Sequence, residues 1–325
     1  MYAARSGKSA GALLRAWVAF FLALCLLMSS LPAARGEAAE APVPTAEVAV
    51  TPLNELLRLH QINIQTGAAW MLTVGDLVVL IDCGSDTLDD ISARHINRPL
   101  MDYLEASGID HVDAHFVTHW HNDHCYNVDI LAEKYGTEHT VVYGVSPKLH
   151  PPLDPLPVGT YRQLTEGTSL TLGPLEIFCF GPPWRDPVWG NRNMDSMNLV
   201  IRYGDISIGV TGDYIWAGRE KYYGDQIRQL DILLFPHHGI WAHEVPVRTY
   251  GFMDPRLVLI PGVERGGART VARKAGANPD AVFLCYQDGH VLVTSDGSRI
   301  WYAAGVEPGT FPLGTLLPPR PSPAP

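Results

Sequence analysis

Thr118-His119-Trp120-His121-Asn122-Asp123-His124 places three imidazoles and one carboxylate within six consecutive positions. The apolar residues Ala114, Phe116 and Val117 lead directly into it, a pattern typical of a buried strand that ends in a loop. In α/β sheets, ligands bind beyond the carboxyl ends of the strands. The stretch therefore predicts a functional loop at the edge of a sheet.

The spacing of these side chains indicates a site for two metal ions. In an extended chain His119 and His121 point to the same side, so two neutral ring nitrogens converge on one cation. Asp123 and His124 turn back and offer an oxygen and a nitrogen to a second cation. A single histidine is more often a core or surface residue than a ligand, but four ligand-type side chains at this spacing favour metal.

The pattern His-x-His-x-Asp-His, after an apolar strand, resembles the metallo-β-lactamase superfamily of metal-dependent hydrolases. The resemblance extends from about Leu59 to Ala303. It implies an α/β (α+β) fold, a four-layer αββα sandwich with the metal centre at one edge. The substrates that it implies are phosphodiesters, thioesters, lactones or lactams.

Two further segments fit this resemblance. Two apolar runs around Gly75-Asp76 predict a β-hairpin, and it ends in Asp82-Cys83-Gly84, which resembles the Asp-x-Gly of the superfamily. There the aspartate supports the ligand loop, although an Asp that only caps the end of a strand is equally compatible. Asp213, in Val210-Thr211-Gly212-Asp213, matches the carboxylate that bridges both metals in the superfamily.

The segment 193–201 departs from the common pattern. Many members carry Gly-His-Thr there and so supply a third histidine to the first metal, whereas this chain has Asn193-Met194-Asp195-Ser196. Asn-x-x-Ser followed by an apolar strand, and later Pro236-His237-His238-Gly239, resemble the extracellular hydrolase domain of ComEC-type DNA-uptake proteins and its stand-alone relatives. The third ligand of the first site stays open between Asp195, Asn193 and water.

The resemblance implies that one residue of the His237-His238 pair is the last ligand of the second metal. His237 is favoured as the ligand and His238 as the proton donor, but the sequence does not decide between them. The predicted metal ligands are His119, His121, Asp123, His124, Asp213 and His237. The predicted catalytic residues are Asp123 and His238. The cofactors are two divalent ions, zinc or alternatively manganese.

The N-terminus is typical of a targeting segment. Arg5, Lys8 and Arg15 precede an apolar run from 16 to 31, so residues 1–36 are expected to be a signal peptide or an N-terminal anchor. Residues 37–55 are interpreted as a flexible linker, 56–306 as the hydrolase domain, and 307–325 as a proline-rich disordered tail. The expected location is secreted or extracellular, with membrane association only if the first segment is retained.

The net charge of the chain restricts the kinds of partner that it is expected to bind. The chain has 24 basic and 34 acidic residues, and residues 1–36 hold four of the basic ones, so the mature chain is more acidic than the net charge of −10. An acidic surface disfavours long-range attraction of nucleic acid without excluding it, which favours a small-molecule or polymer phosphodiester as the substrate. The protein is expected to be a monomer. Five tryptophans lie in the ligand motif or in loops: Trp120, Trp184, Trp189, Trp216 and Trp241. One interpretation is that they form an aromatic rim that binds a base or a quaternary ammonium group. The other is that they only pack the loops.

Four cysteines follow the N-terminal segment, and their pairing cannot be deduced from the sequence. Cys125 is the one placed beside the metal motif.

The function expected from these features is an exported metal-dependent phosphodiesterase, nuclease-like or acting on a phosphorylcholine or teichoic ester. Two metals would hold a bridging hydroxide whose pKa they lower. The alternative is a non-catalytic surface module of the same fold that binds metal or a wall polymer.

Overall fold

The computed structural model describes residues 55–85, 98–136, 140–145, 161–183, 192–239, 247–262, 269–270 and 279–320. The N-terminal segment 1–36, the linker up to residue 54, and Trp184, Trp189 and Trp241 lie outside these ranges. None of the helices within them has the length and apolar character that a membrane span requires.

The described residues form two sheets, and the first contains the predicted hairpin. Its strands are β1 Leu57–Gln61, β2 Ala69–Val74, β3 Leu77–Cys83, β4 Ala114–Val117, β5 Val141–Gly144, β6 Tyr161–Gln163, β14 Val291–Ser295, β15 Ile300–Ala304 and β16 Thr315–Leu316. They lie in the order β16-β15-β14-β1-β2-β3-β4-β5-β6. Gly75 makes the hairpin turn with a φ of +56°, a conformation that glycine adopts without steric cost.

The second sheet has seven strands in the order β13-β12-β11-β10-β9-β8-β7. They are β7 Ser169–Leu172, β8 Leu175–Gly181, β9 Asn198–Tyr203, β10 Ile206–Val210, β11 Ile232–Leu234, β12 Leu257–Ile260 and β13 Val282–Leu284. The α-helices of the described residues are α1 Arg98–Ala106, α2 Asn122–Cys125, α3 Val128–Tyr135, α4 Glu220–Ile227, α5 Val247–Met253 and α6 Cys285–Asp288.

The four layers follow from the alternation of side chains along each strand. In β12, Leu257 and Leu259 belong to the core that both sheets share, whereas Val258 and Ile260 belong to a second core. That second core also includes residues of α4 and α5, such as Ile227. Because successive side chains of a strand point to opposite faces, one apolar strand is buried by a sheet on one side and by helices on the other. The expected αββα sandwich is confirmed.

Parallel strands bring the sequence motifs to one edge. β3 pairs in parallel with β4, and β10 pairs in parallel with β11. Asp82-Cys83-Gly84 stands at the end of β3, and Thr118-His119 follows β4 directly. Asp213 and Pro236-His237 lie just beyond the ends of β10 and β11. Since the carboxyl ends of parallel strands share an edge, motifs far apart in the chain meet there.

Residues 307–320 differ from the expectation of a disordered tail. β16 pairs with β15, Leu317 is buried, and Arg320 donates to the carbonyl oxygen of Leu230 at 3.0 Å. The proline content excludes a long strand there, but a two-residue strand and one buried leucine are enough to hold the segment against the domain.

Candidate metal centre

The strand β4 delivers the ligand motif into a buried loop. His119 and His124 are 0% and 1% exposed. The short helix α2 reverses the chain, since the amide nitrogens of His124 and Cys125 both donate to the carbonyl oxygen of His121 at 2.9 Å. This turn brings the ring of His124 close to that of His119, with the ring centroids 4.2 Å apart.

One group of ligand atoms forms around His119. Its Nε2 lies 3.0 Å from Nδ1 of His121 and 3.5 Å from Oδ2 of Asp213. Ring nitrogens that face each other at this distance can share one proton, whereas a cation accepts both lone pairs.

A second group forms around His238. Its Nε2 lies 3.0 Å from Nε2 of His124 and 3.1 Å from Oδ2 of Asp123. Oδ1 of Asp213 lies 2.9 Å from Nε2 of His124, but the two groups are not aligned for a hydrogen bond. The two oxygens of Asp213 thus face different groups, which is the arrangement expected of a carboxylate shared by two cations.

The donor set fits divalent metal. Two triads, His119-His124-Asp213 and Asp123-His124-His238, each have ligand atoms within 4.8 Å of one another. Imidazole nitrogens with carboxylate oxygens are the ligands that zinc prefers, and manganese accepts the same set.

Burial and mutual charge set the protonation of the centre. Burial lowers the pKa of His119 well below its usual value, which favours the neutral imidazole that binds metal. Burial also disfavours a charged His124, but the carboxylates of Asp213 and Asp82 outweigh it and raise the pKa of His124 well above its usual value. Burial alone would raise the pKa of Asp213, but His124 and His119 hold it well below its usual value. Metal binding must therefore displace a proton from His124.

Asp82 holds the ligand loop from behind. Its Oδ1 accepts the amide of Thr118 at 2.8 Å, and its Oδ2 lies 2.7 Å from Nδ1 of His124. The hydroxyl of Thr118 also donates to Oδ2 at 2.8 Å. A carboxylate bonded to one ring nitrogen leaves the other nitrogen directed at the metal, so the supporting role implied by Asp-x-Gly agrees with the geometry.

Gly84 allows the hairpin to approach α2 closely. A Cβ at this position would lie 1.7 Å from the carbonyl oxygen of Asp123. Next to it, the amide of Ser85 donates to the carbonyl oxygen of Asn122 at 3.0 Å. The glycine of Asp82-Cys83-Gly84 is required by a backbone contact, which the sequence did not reveal.

The segment that lacks the third histidine positions Asp213 instead. Oγ of Ser196 accepts the amide of Asp213 at 2.9 Å, and the amide of Met197 donates to the carbonyl oxygen of Thr118 at 2.7 Å. Ser196 lies within the motif 193–198, but its contact depends on tertiary structure, so sequence analysis gave it no role. Thr118 was missed for the same reason.

The two histidines of the Pro-His-His-Gly segment adopt left-handed backbone conformations, with φ values of +53° for His237 and +50° for His238. Non-glycine residues rarely occupy this region, and they do so mostly where function requires it. His238 joins Asp123 and His124, so the geometry favours His238 rather than His237 as the last ligand of the second group.

The remaining candidates have different places. Asn193 lies with its Nδ2 3.2 Å from Nε2 of His237, and Asp195 is buried but belongs to neither triad. Cys125 is a buried free thiol outside both triads. Trp120 is 1% exposed and therefore packs in the core instead of forming an aromatic rim.

Comparison with known proteins identifies the family of the chain. The family model described as the metallo-beta-lactamase superfamily matches residues 64–263. The chain therefore belongs to the metallo-β-lactamase superfamily. It is a member of a family of metal-dependent hydrolases, and the residues that meet at the edge of its sheets are of the types that bind metal.

Solved structures are similar to this chain at low sequence identity. Igni18, a metallo hydrolase from the archaeon Ignicoccus hospitalis, is 15% identical, with a TM-score of 0.50 over 73% of this chain and 98% of its own. YhfI, a metallo-beta-lactamase fold protein from Bacillus subtilis, is 17% identical, with a TM-score of 0.45 over 67% of this chain and 92% of its own. Yeast PDE1 is 12% identical, with a TM-score of 0.48 over 74% of this chain and 99% of its own. The search of curated proteins found no match.

Proposed function

We propose that the protein is a metal-dependent phosphodiesterase. The observation that carries this proposal is the buried carboxylate of Asp213, whose Oδ2 faces His119 and whose Oδ1 faces His124, the residue that both triads of ligand-type side chains share. Centres that hold two divalent ions are typical of enzymes that cleave phosphate esters. Among the metals that suit this donor set, zinc comes first and manganese second.

Bound divalent ions would polarise a phosphoryl oxygen and acidify water. The residues of the chain supply the surroundings in which these ions would act. Burial of His119 and His124 keeps solvent away from the inner side of the centre, which strengthens its electrostatic interactions. The side chains of Asp123 and His237 are 25% and 19% exposed, so the substrate approaches from their side. There Asp123 is placed to hold the attacking water, with its pKa lowered because contacts with His238 and His124 outweigh the effect of burial.

We propose further that the substrate is a small or wall-linked phosphodiester outside the cytoplasm, such as a phosphorylcholine or teichoic ester. The apolar run 16–31 behind three basic residues supports export, and the net charge of −10 disfavours a nucleic acid. The motifs at Asn193 to Ser196 and Pro236 to Gly239 support a relationship with the ComEC-type hydrolase domains. The missing third histidine argues against a lactam or lactone.

The proposal is tested by hydrolysis of bis(p-nitrophenyl) phosphate with the purified protein, first stripped with a chelator and then reloaded with zinc or manganese. We expect turnover that the metal restores and that Asp213→Asn lowers by at least 100-fold, since the shared carboxylate is lost. Asp205→Asn, in the exposed turn between β9 and β10, is the matched control and should retain full activity.

Two outcomes would overturn the proposal. Activity that resists the chelator would exclude the metal mechanism. A protein that binds metal but cleaves neither this diester nor a choline phosphodiester would instead support the non-catalytic binding module.

A further inference from the structure

The group around His119 has fewer ligands than the group around His238. His119 and His121 supply nitrogens and Asp213 supplies Oδ2, but the segment 193–201 contains no histidine. These three protein ligands leave one position of a four-coordinate zinc ion open. Another side chain that reaches the same oxygen of Asp213 would complete this group.

His237 reaches that oxygen. Its Nε2 lies 3.8 Å from Oδ2 of Asp213, the oxygen that Nε2 of His119 approaches at 3.5 Å. His238 approaches the opposite oxygen, with its Nε2 3.8 Å from Oδ1. Adjacent histidines therefore face opposite sides of one carboxylate.

The backbone explains how neighbours in sequence diverge in this way. Both residues have left-handed φ and ψ values within one tight turn, so their side chains do not follow the alternation of a strand. The amide of His237 donates to the carbonyl oxygen of Gly212 at 3.2 Å, which ties the turn to the segment that carries Asp213. The strained conformation is held by contacts with the centre itself.

The contact with Asn193 identifies the ring nitrogen of His237 that accepts a hydrogen bond. Its Nδ2 lies 3.2 Å from Nε2 of His237, and an amide nitrogen can only donate. Nε2 of His237 is therefore the acceptor in this contact, and an ion bound at Nε2 would take the place of the Asn193 amide.

We propose that His237 is the ligand that replaces the absent third histidine of the first metal site. The first ion is then held by His119, His121, His237 and Oδ2 of Asp213, and the second by Asp123, His124, His238 and Oδ1 of Asp213. Asn193 occupies the lone pair of Nε2 in the metal-free protein and is not itself a ligand. The proposal rests on the metal-binding part of the proposed function and not on the identity of the substrate.

The test is metal stoichiometry and affinity, measured on the full chain by elemental analysis and by competition with a chromogenic chelator. His237→Gly and His238→Gly form a matched pair, because glycine accepts the left-handed backbone at both positions. We expect each variant to keep one tightly bound ion and to bind the other at least 100-fold more weakly, a greater loss than outer contacts cause.

Double variants decide which ion is lost. Combining His119→Ala with His237→Gly should weaken one ion only, because both residues serve the same site. Combining His119→Ala with His238→Gly should weaken both ions. Asn193→Ala should keep two ions with a loss of no more than about 100-fold at the first.

Several results would overturn the proposal. One is that His237→Gly binds two ions with affinities within threefold of those of the unmodified protein, and another is that both ions are weakened in the His119→Ala/His237→Gly double variant. The others are that Asn193→Ala loses an ion and that the unmodified protein binds none. Any one of these four results would refute the ligand assignment. A protein that gives the expected metal pattern but hydrolyses no phosphodiester would refute the proposed activity and leave the ligand assignment standing.

Discussion

Asp82 shows how one buried residue prepares a metal ligand. It is 1% exposed, has a φ of +56°, and accepts hydrogen bonds from Thr118 while it contacts His124. Its negative charge fixes the proton of His124 on Nδ1, so Nε2 faces the centre. The aspartate was recognised in the sequence, but its partners are 36 and 42 residues away and required the fold.

Asp82→Asn should weaken metal binding by about 10- to 100-fold, because the amide keeps the shape but loses the charge that orients His124. Asparagine tolerates the positive φ, so folding should be little affected. The measurement is chelator competition on the purified variant.

Asp113→Asn is the control for this change. Asp113 also accepts a backbone amide, that of Val78 at 2.8 Å, but it belongs to neither metal triad. Equal losses of metal affinity in both variants would show that the effect of Asp82 is general destabilisation.

At the scale of elements, the end of β3 must touch α2 for the ligands to converge. Gly84→Ala should destabilise the protein by about 3 kcal/mol or more, because the added Cβ would lie 1.7 Å from a backbone oxygen that cannot rotate away. Urea unfolding measures the change in the free energy of unfolding.

Gly251→Ala is the matched substitution in α5, where a Cβ meets nothing within 4 Å. There alanine should stabilise the protein by about 0.5 to 1 kcal/mol, because it favours the helix over glycine. If Gly84→Ala were equally harmless, the close contact between β3 and α2 would be refuted.

The segment that contains β16 and the following residue Leu317 is a second place where packing can be measured. Leu317 is 3% exposed, whereas its neighbour Leu316 is 51% exposed. Leu317→Ala should lower the free energy of unfolding by about 2 kcal/mol or more, and Leu316→Ala by less than about 0.5 kcal/mol. Indistinguishable effects in thermal or urea unfolding would mean that residues 307–320 do not pack on the domain.

At the scale of the whole molecule, buried neutral histidines make stability depend on pH. Burial, with smaller effects of Arg58 and His290, lowers the pKa of His60 to about 3. Burial also lowers the pKa of His115 to about 4. The unfolded chain binds protons at these positions below about pH 6.5 while the folded chain does not, so stability is complete above that pH and is lost as the pH falls.

His115→Leu should make the acid loss of stability shallower by up to about 1.4 kcal/mol per pH unit between about pH 6.5 and pH 4. Urea unfolding of the metal-free protein across this range provides the slope. His111→Leu is the control, because a hydrogen bond with Asp110 raises the pKa of His111 and its removal cannot flatten the acid limb. An unchanged slope in His115→Leu would refute the neutral, buried state of this histidine.

Local patterns of apolar and ligand-type residues in the sequence predicted the hairpin and placed His119, Asp123 and His124 in one loop. The family resemblance that these motifs carry implied the superfamily and the αββα layers. The tertiary structure decided the rest. β13 and β14 are neighbours in the chain, but β13 pairs with β12 in one sheet and β14 with β1 and β15 in the other. Apolar alternation specifies a strand but not its partner.

The same limit applies to the centre. The Pro-His-His-Gly segment predicted one metal ligand. Which group each of His237 and His238 joins depends on two left-handed backbone conformations and on the position of Asp213. Neither is encoded in the spacing of residues along the chain. Only folding brings strand ends from different parts of the sequence to one edge, where the distances between their side chains assign each one its place.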